Sequence, residues 1–119
     1  MRSVKIAGKD YELRYALSTR QKIEDLTKKP LFDSMFGGLL SDQATVLWAG
    51  IQHTDRRLTP SRVIDMLEEH QKADPEASYD DVCREAFWAV FEARMLGKLD
   101  RSAMRKLLGE DEGEAPAQG

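Results

Sequence analysis

A chain of 119 residues has room for one domain with one modest core and is too short for two ordinary domains. With 41% apolar and 33% charged residues, and no run near the roughly 20 apolar residues that a membrane-spanning helix needs, the composition excludes a membrane protein and implies a heavily solvated surface. The formal charge of −3 sits at one end: GEDEGEAPAQG carries Glu110, Asp111, Glu112 and Glu114 with no base, and without those four the 21 acids fall to 17 against 18 bases, a nearly neutral body with little global attraction for nucleic acid or anionic membranes.

The N-terminus MRSVKIAGKDYELRY has neither an apolar signal core nor a small-residue cleavage site, and the single cysteine, Cys83, cannot form an internal disulfide, so a reducing cytoplasm is expected. In SVKIAGKDYELRYAL the apolar residues alternate, with Val4 and Ile6, then Tyr11, Leu13, Tyr15 and Leu17, opposite Lys5, Glu12 and Arg14. Two strands follow from that pattern, joined by a hairpin turn through Gly8, Lys9 and Asp10. Ser18 with Gln21 three residues on reads as a capping box for a short first helix that carries Ile23 and Leu26 and stops at Pro30. LFDSMFGG, with Leu31, Phe32, Met35 and Phe36, makes at most one or two helical turns before Gly37 and Gly38.

Ser41 starts the next long helix, with Leu40, Ala44, Leu47, Trp48 and Ile51 on one face. Thr59, with Pro60 at the first helical position, opens another, stapled by Leu58 on Val63 and buried along Val63, Ile64 and Leu67. Ser78 and Asp81 form a second capping box ahead of the stripe Tyr79, Val82, Cys83, Ala86, Phe87, Val90 and Phe91, which should end near Gly97. Trp88 and Met95 widen that stripe, which places this helix at the centre of the core or, second, at a subunit interface. Asp100 caps a last helix, DRSAMRKLL, with Leu99 stapled to Met104 and with Leu107 and Leu108 on the same side. The expected organisation is a mainly α (α+β) fold of four to five helices with an N-terminal β-hairpin over residues 1–108, followed by a disordered acidic tail over 109–119.

The polar stretch WAGIQHTDRRLTP between two apolar runs is the obvious place to look for chemistry. His53 falls at a helix carboxyl end, where the dipole stabilises a partly positive imidazole. Thr54, His53 and Asp55 are sequence neighbours whose side chains diverge, and there is no Gly-x-Ser-x-Gly elbow, so no catalytic residue is expected. His53, His70 and Cys83 make no metal-ligand spacing, and Gly37 with Gly38 is not a phosphate loop; no metal and no cofactor are expected. The helix, basic turn with Arg56 and Arg57, and helix opening with Thr59, Ser61 and Arg62 resemble a helix-turn-helix, which gives a small DNA-binding regulator as the alternative reading. The connection is longer than the usual three or four residues, and Asp65, Glu68 and Glu69 oppose phosphate docking.

The unusual material is apolar. LFDSMFGG reads first as a plug in its own core and second as a surface that grips an apolar partner, since adaptable Met and aromatic side chains suit varied apolar ligands. The candidate partner-binding residues are therefore Phe32, Met35, Phe36, Trp88, Met95, Leu107 and Leu108, and a surplus of this kind on a small domain implies a partner or a homo-oligomer.

The order of parts completes the reading. A hairpin built on Gly8, Tyr11 and Leu13, a helix with Leu47, Trp48, Ala49 and Gly50, a charged turn and a helix start at Leu58, Thr59 and Pro60 resemble the tail assembly chaperones of long-tailed phages and gene transfer agents, over most of residues 3–97. The resemblance implies a small, mainly helical, cytoplasmic protein of the host cell that binds the tape-measure protein, keeps it soluble, helps recruit tail-tube protein and carries out no reaction.

Overall fold

The computed structural model describes residues 2–110. It is mainly α with an N-terminal hairpin, in the order β1 (Ser3–Ile6), β2 (Lys9–Glu12), α1 (Leu17–Thr27), α2 (Leu31–Phe36), α3 (Leu40–Ile51), a 3₁₀ turn (Gln52–Thr54), α4 (Pro60–Ala73), α5 (Tyr79–Glu92) and α6 (Arg101–Leu107).

The strands pair antiparallel with Val4 opposite Tyr11 and Ile6 opposite Lys9, and the period-2 pattern buries Val4, Ile6, Tyr11 and Leu13 on one face. The turn is tighter than expected. Lys9 and Asp10 belong to β2, and Ala7 and Gly8 alone form the turn, with φ of 51° and 85°. Two positive φ values match the twist of the strands. Ala7 holds this unfavourable conformation because its N–H donates to His70 Nδ1 at 2.9 Å, which ties the hairpin tip to α4.

Around α3 four of the other helices assemble: α1, α2, α4 and α5 all touch it, as does β2. Ala44, Val46, Leu47 and Ile51 are wholly buried along it. Near its carboxyl end, Gly50 meets the ring of Tyr15. A Cβ at Gly50 would lie 2.4 Å from Tyr15 Cζ, so only glycine permits the approach. Tyr15 is held there on both sides: its hydroxyl donates to Val46 O at 2.7 Å, and the preceding Arg14 N–H donates to Gly50 O at 2.9 Å. Burial pushes the Tyr15 phenol far above its ordinary range. Trp48 is half-buried and fixes the next helix start, since its Nε1 donates to Leu58 O at 2.9 Å.

The helix ends show where short-range patterning holds. Thr59 caps α4, accepting from Arg62 N–H at 3.1 Å with Pro60 at the first position, and Asp100 caps α6, accepting from Ala103 N–H at 2.7 Å. For α1 the expected Ser18 and Gln21 box is displaced: Ala16 is the cap residue, in extended conformation, and its N–H donates to Thr19 Oγ1 at 3.1 Å. Ser78 caps α5 through Asp80 N–H at 3.1 Å, while the Asp81 carboxylate faces Arg84 instead of closing a box.

Helix α5 stops at Glu92, five residues before Gly97. Arg94 takes the left-handed position, φ 62°, in glycine's place; its N–H donates to Phe91 O at 3.0 Å and the Met95 N–H to Val90 O at 3.3 Å. This reversal drives Met95 into the core. Gly109, φ 73°, and Glu110 close α6 in the same way, with their N–H groups on Lys106 O at 3.2 Å and Arg105 O at 2.8 Å. Gly109 and Glu110, the first two residues of the expected acidic tail, thus bond back to α6; the rest of it, 111–119, lies outside the described residues.

Candidate partner-binding cleft

Pro30 halts the chain after α1 and launches α2 at right spacing for two faces. Leu31, Ser34 and Met35, at i, i+3 and i+4, are wholly buried, and Ser34 Oγ donates to Thr27 Oγ1 at 2.9 Å to satisfy its hydroxyl. The other face carries Phe32 and Phe36, whose ring centroids lie 4.9 Å apart. Phe32 is 42% exposed, and Phe36 meets Phe87 of α5 edge-on at 5.7 Å. The segment is thus both things at once: a plug through Leu31 and Met35, and an outward aromatic face through Phe32 and Phe36.

Beside that face lies a cleft of about 230 Å³ between α2, α5 and α6. Met35, Phe36, Cys83 and Phe87 form its body side, Leu107 and Leu108 its α6 side, and Asp80, Arg84, Gln43 and Gly38 complete the lining. It is smaller than the roughly 300–1,000 Å³ of a drug-sized ligand site and suits an inserted apolar side chain. Arg84 stands on its wall, with Nη1 donating to Asp81 Oδ1 at 3.2 Å and Nε 2.8 Å from Glu110 Oε2. Burial, with Asp80 second, pushes the Cys83 thiol up to about 12, so it is protonated and unreactive at neutral pH.

Of the seven partner-binding candidates, the structure gathers five here: Met35, Phe36, Leu107 and Leu108 line the cleft and Phe32 adjoins it. Met35 is wholly buried and forms the floor. Trp88 and Met95 are not surface residues either. Met95 is 0% and Trp88 7% exposed, because α5 is covered on more than one side. Phe91 meets Trp88 edge-on at 5.5 Å, Arg101 stacks over the indole at 5.2 Å, and Trp88 Nε1 donates to the Glu110 carboxylate at 3.2 Å. Sequence reasoning missed Phe87 and Arg84 as cleft residues, and Glu110 as the carboxylate that meets Trp88 and Arg84. A glycine followed by Glu110 at the end of an apolar helix was the available signal for the last.

The stretch WAGIQHTDRRLTP is a structural join. His53 lies past α3 in the 3₁₀ turn, and its role is to reach the hairpin, donating from Nε2 to Glu12 O at 2.8 Å. Thr54 Oγ1 donates to Ile51 O at 2.8 Å, and the Asp55 carboxylate accepts from Arg57 N–H at 2.9 Å and from its guanidinium at 3.1 Å. The Arg57 side chain, then its backbone N–H, holds the Asp55 carboxyl below the ordinary range. At the far edge of the hairpin, Arg2 binds Glu92 at 2.8 Å and Glu85 at 2.7 Å, which clasps the start of the described chain to α5.

Among the described residues no three His, Cys, Asp or Glu side chains converge as a metal site, and no helix is long and apolar enough to cross a membrane. Comparison with protein-family models, curated proteins and solved structures finds no match to this chain.

Proposed function

We propose that this protein is a tail assembly chaperone of the kind found in long-tailed phages and gene transfer agents, which binds the apolar tape-measure protein in the host cytoplasm and assists tail-tube assembly. The observation that carries the reading is the cleft with its apolar rim of Phe32, Phe36, Phe87, Leu107 and Leu108. The hairpin, Trp-Ala-Gly and Leu-Thr-Pro motifs that suggested the family serve the frame that presents this cleft.

A surface that takes apolar side chains one at a time grips a long helical chain through many weak contacts. Exposed Phe32, Leu39, Leu40 and Leu107 are also free to meet a second copy when no client is present, which is the expected basis of self-association. The test is capture of the tape-measure protein from the same genome at low and at ~1 M salt. Capture that survives high salt supports an apolar grip. Affinity for duplex DNA that collapses with salt, and no capture of the tape-measure protein, would favour the regulator reading instead.

A further inference from the structure

Helix α6 is the least secured part of the cleft. At seven residues it is too short to stay helical alone in water, and Met104 is its single wholly buried side chain. Among the described residues no backbone hydrogen bond joins α6 to another element; its main-chain groups go to its own Asp100 and Gly109–Glu110 caps. It is tied to the body by Met104, by Leu108, by Arg101 on Trp88, and by the Glu110 carboxylate, which accepts from Trp88 Nε1 and lies 2.8 Å from Arg84 Nε. That last contact is off-line: Arg84 Nε is shut from solvent, yet its N–H has no aligned acceptor. The connector before α6 turns through Arg94 and Gly97, both with left-handed φ.

We infer that α6 is a flap, latched by Glu110, that holds the place of a partner's apolar helix. The inference rests on the proposed function in one respect, that the cleft's visitor is an apolar helical segment. The seated flap itself specifies that segment. It presents apolar side chains at the spacing of Met104, Leu107 and Leu108, i, i+3 and i+4, followed two residues later by a carboxylate directed at Trp88 and Arg84. A client helix with this pattern replaces the contacts of Met104, Leu107, Leu108 and Glu110, and a carboxylate aligned on Arg84 Nε adds the hydrogen bond that Glu110 leaves unmade. Displacement then exposes the seat of Met104 and the flank of Trp88, which enlarges the grip beyond the small cleft of the closed form.

The test uses the full chain as wild type, Glu110→Gln and Met104→Asp, with a fluorescent peptide of residues 99–110, LDRSAMRKLLGE, as the probe. Glu110→Gln should speed amide exchange in α6 about tenfold, the factor expected when the bond from Trp88 and the contact with Arg84 lose their charge, and leave α3 and α5 unchanged. The peptide should bind Met104→Asp at least about tenfold tighter than wild type, because the tethered flap no longer competes at high effective concentration. Unchanged exchange in α6, equal acceleration in α3 and α5, peptide binding no tighter to Met104→Asp, or global unfolding of that variant would each overturn the flap. Tape-measure capture with unchanged α6 exchange would refute the flap and leave the proposed function standing; an opening flap without capture would do the reverse.

Discussion

Replacing Gly50 by alanine tests whether the Trp-Ala-Gly motif is there for packing. On helix propensity alone the change should stabilise α3 by about 1 kcal/mol, since glycine in a helix interior is costly. The structure reverses that expectation. The new Cβ would stand 2.4 Å from Tyr15 Cζ, 2.5 Å from its hydroxyl and 2.7 Å from Cε2. The ring cannot swing away freely, because the hydroxyl is bonded to Val46 O and the backbone beside it to Gly50 O. Overpacking of this kind costs about 1–3 kcal/mol, and a lost hydrogen bond about 1 kcal/mol more. After the propensity gain, Gly50→Ala should destabilise by about 1–3 kcal/mol, a fall in thermal midpoint of roughly 4–12 °C for a domain of this size. The assay is a double-mutant cycle by circular dichroism melts and urea titration, with Tyr15→Ala as the second arm. In the Tyr15→Ala background the clash is gone, and Gly50→Ala should become neutral or stabilising by up to about 1 kcal/mol. A Gly50→Ala protein as stable as wild type, or one whose cost persists without the Tyr15 ring, would refute the close approach.

Trp48→Ala should cost about 3 kcal/mol, the low end for an aromatic because the indole is half-buried, and urea unfolding reads it directly. Leu31 N–H first, then Arg20, holds the Glu24 carboxyl below its ordinary value, so Glu24 contributes stability above its unfolded pKa that is lost as pH falls through the lower folded one. Melting midpoints should therefore drop on the acid side of about pH 4.3, and Glu24→Gln should flatten that limb. Cys83 should resist thiol reagents at neutral pH and react on addition of denaturant; fast labelling of the folded protein would contradict its burial.

Much of the fold could be read from local rules. Alternation set the strand faces, and Thr59 with Pro60 and Asp100 each marked a helix start because a side-chain oxygen at that position satisfies an otherwise orphan N–H. Three features escaped for a shared reason: the deciding interaction is distant in sequence or uses an atypical residue. Arg94 ends α5 in a position normally given to glycine, held by the burial of Met95. Ala7 turns the hairpin because His70, 63 positions away, takes its N–H. Gly50 reads as a weak helix residue until Tyr15 is placed against it. For the cleft, composition identified LFDSMFGG as unusual, but a helix of six residues with four apolar groups spread over one broad side does not say which are inside. Only packing against α3 and α5 separates buried Met35 from exposed Phe32.

The central claim is that the exposed apolar side chains around the cleft hold the tape-measure protein. Phe32, 42% exposed, borders it on α2, the side that stays in place when α6 opens, and carries little of the core, so Phe32→Ser should melt within a few degrees of wild type. Co-expression of that variant with the tape-measure protein, read as soluble complex recovered at ~1 M salt, is the direct measurement. The account predicts recovery from wild type and a loss of at least about tenfold from Phe32→Ser, equivalent to about 1.4 kcal/mol of grip. Equal recovery from a folded Phe32→Ser variant, or none from wild type, would contradict it.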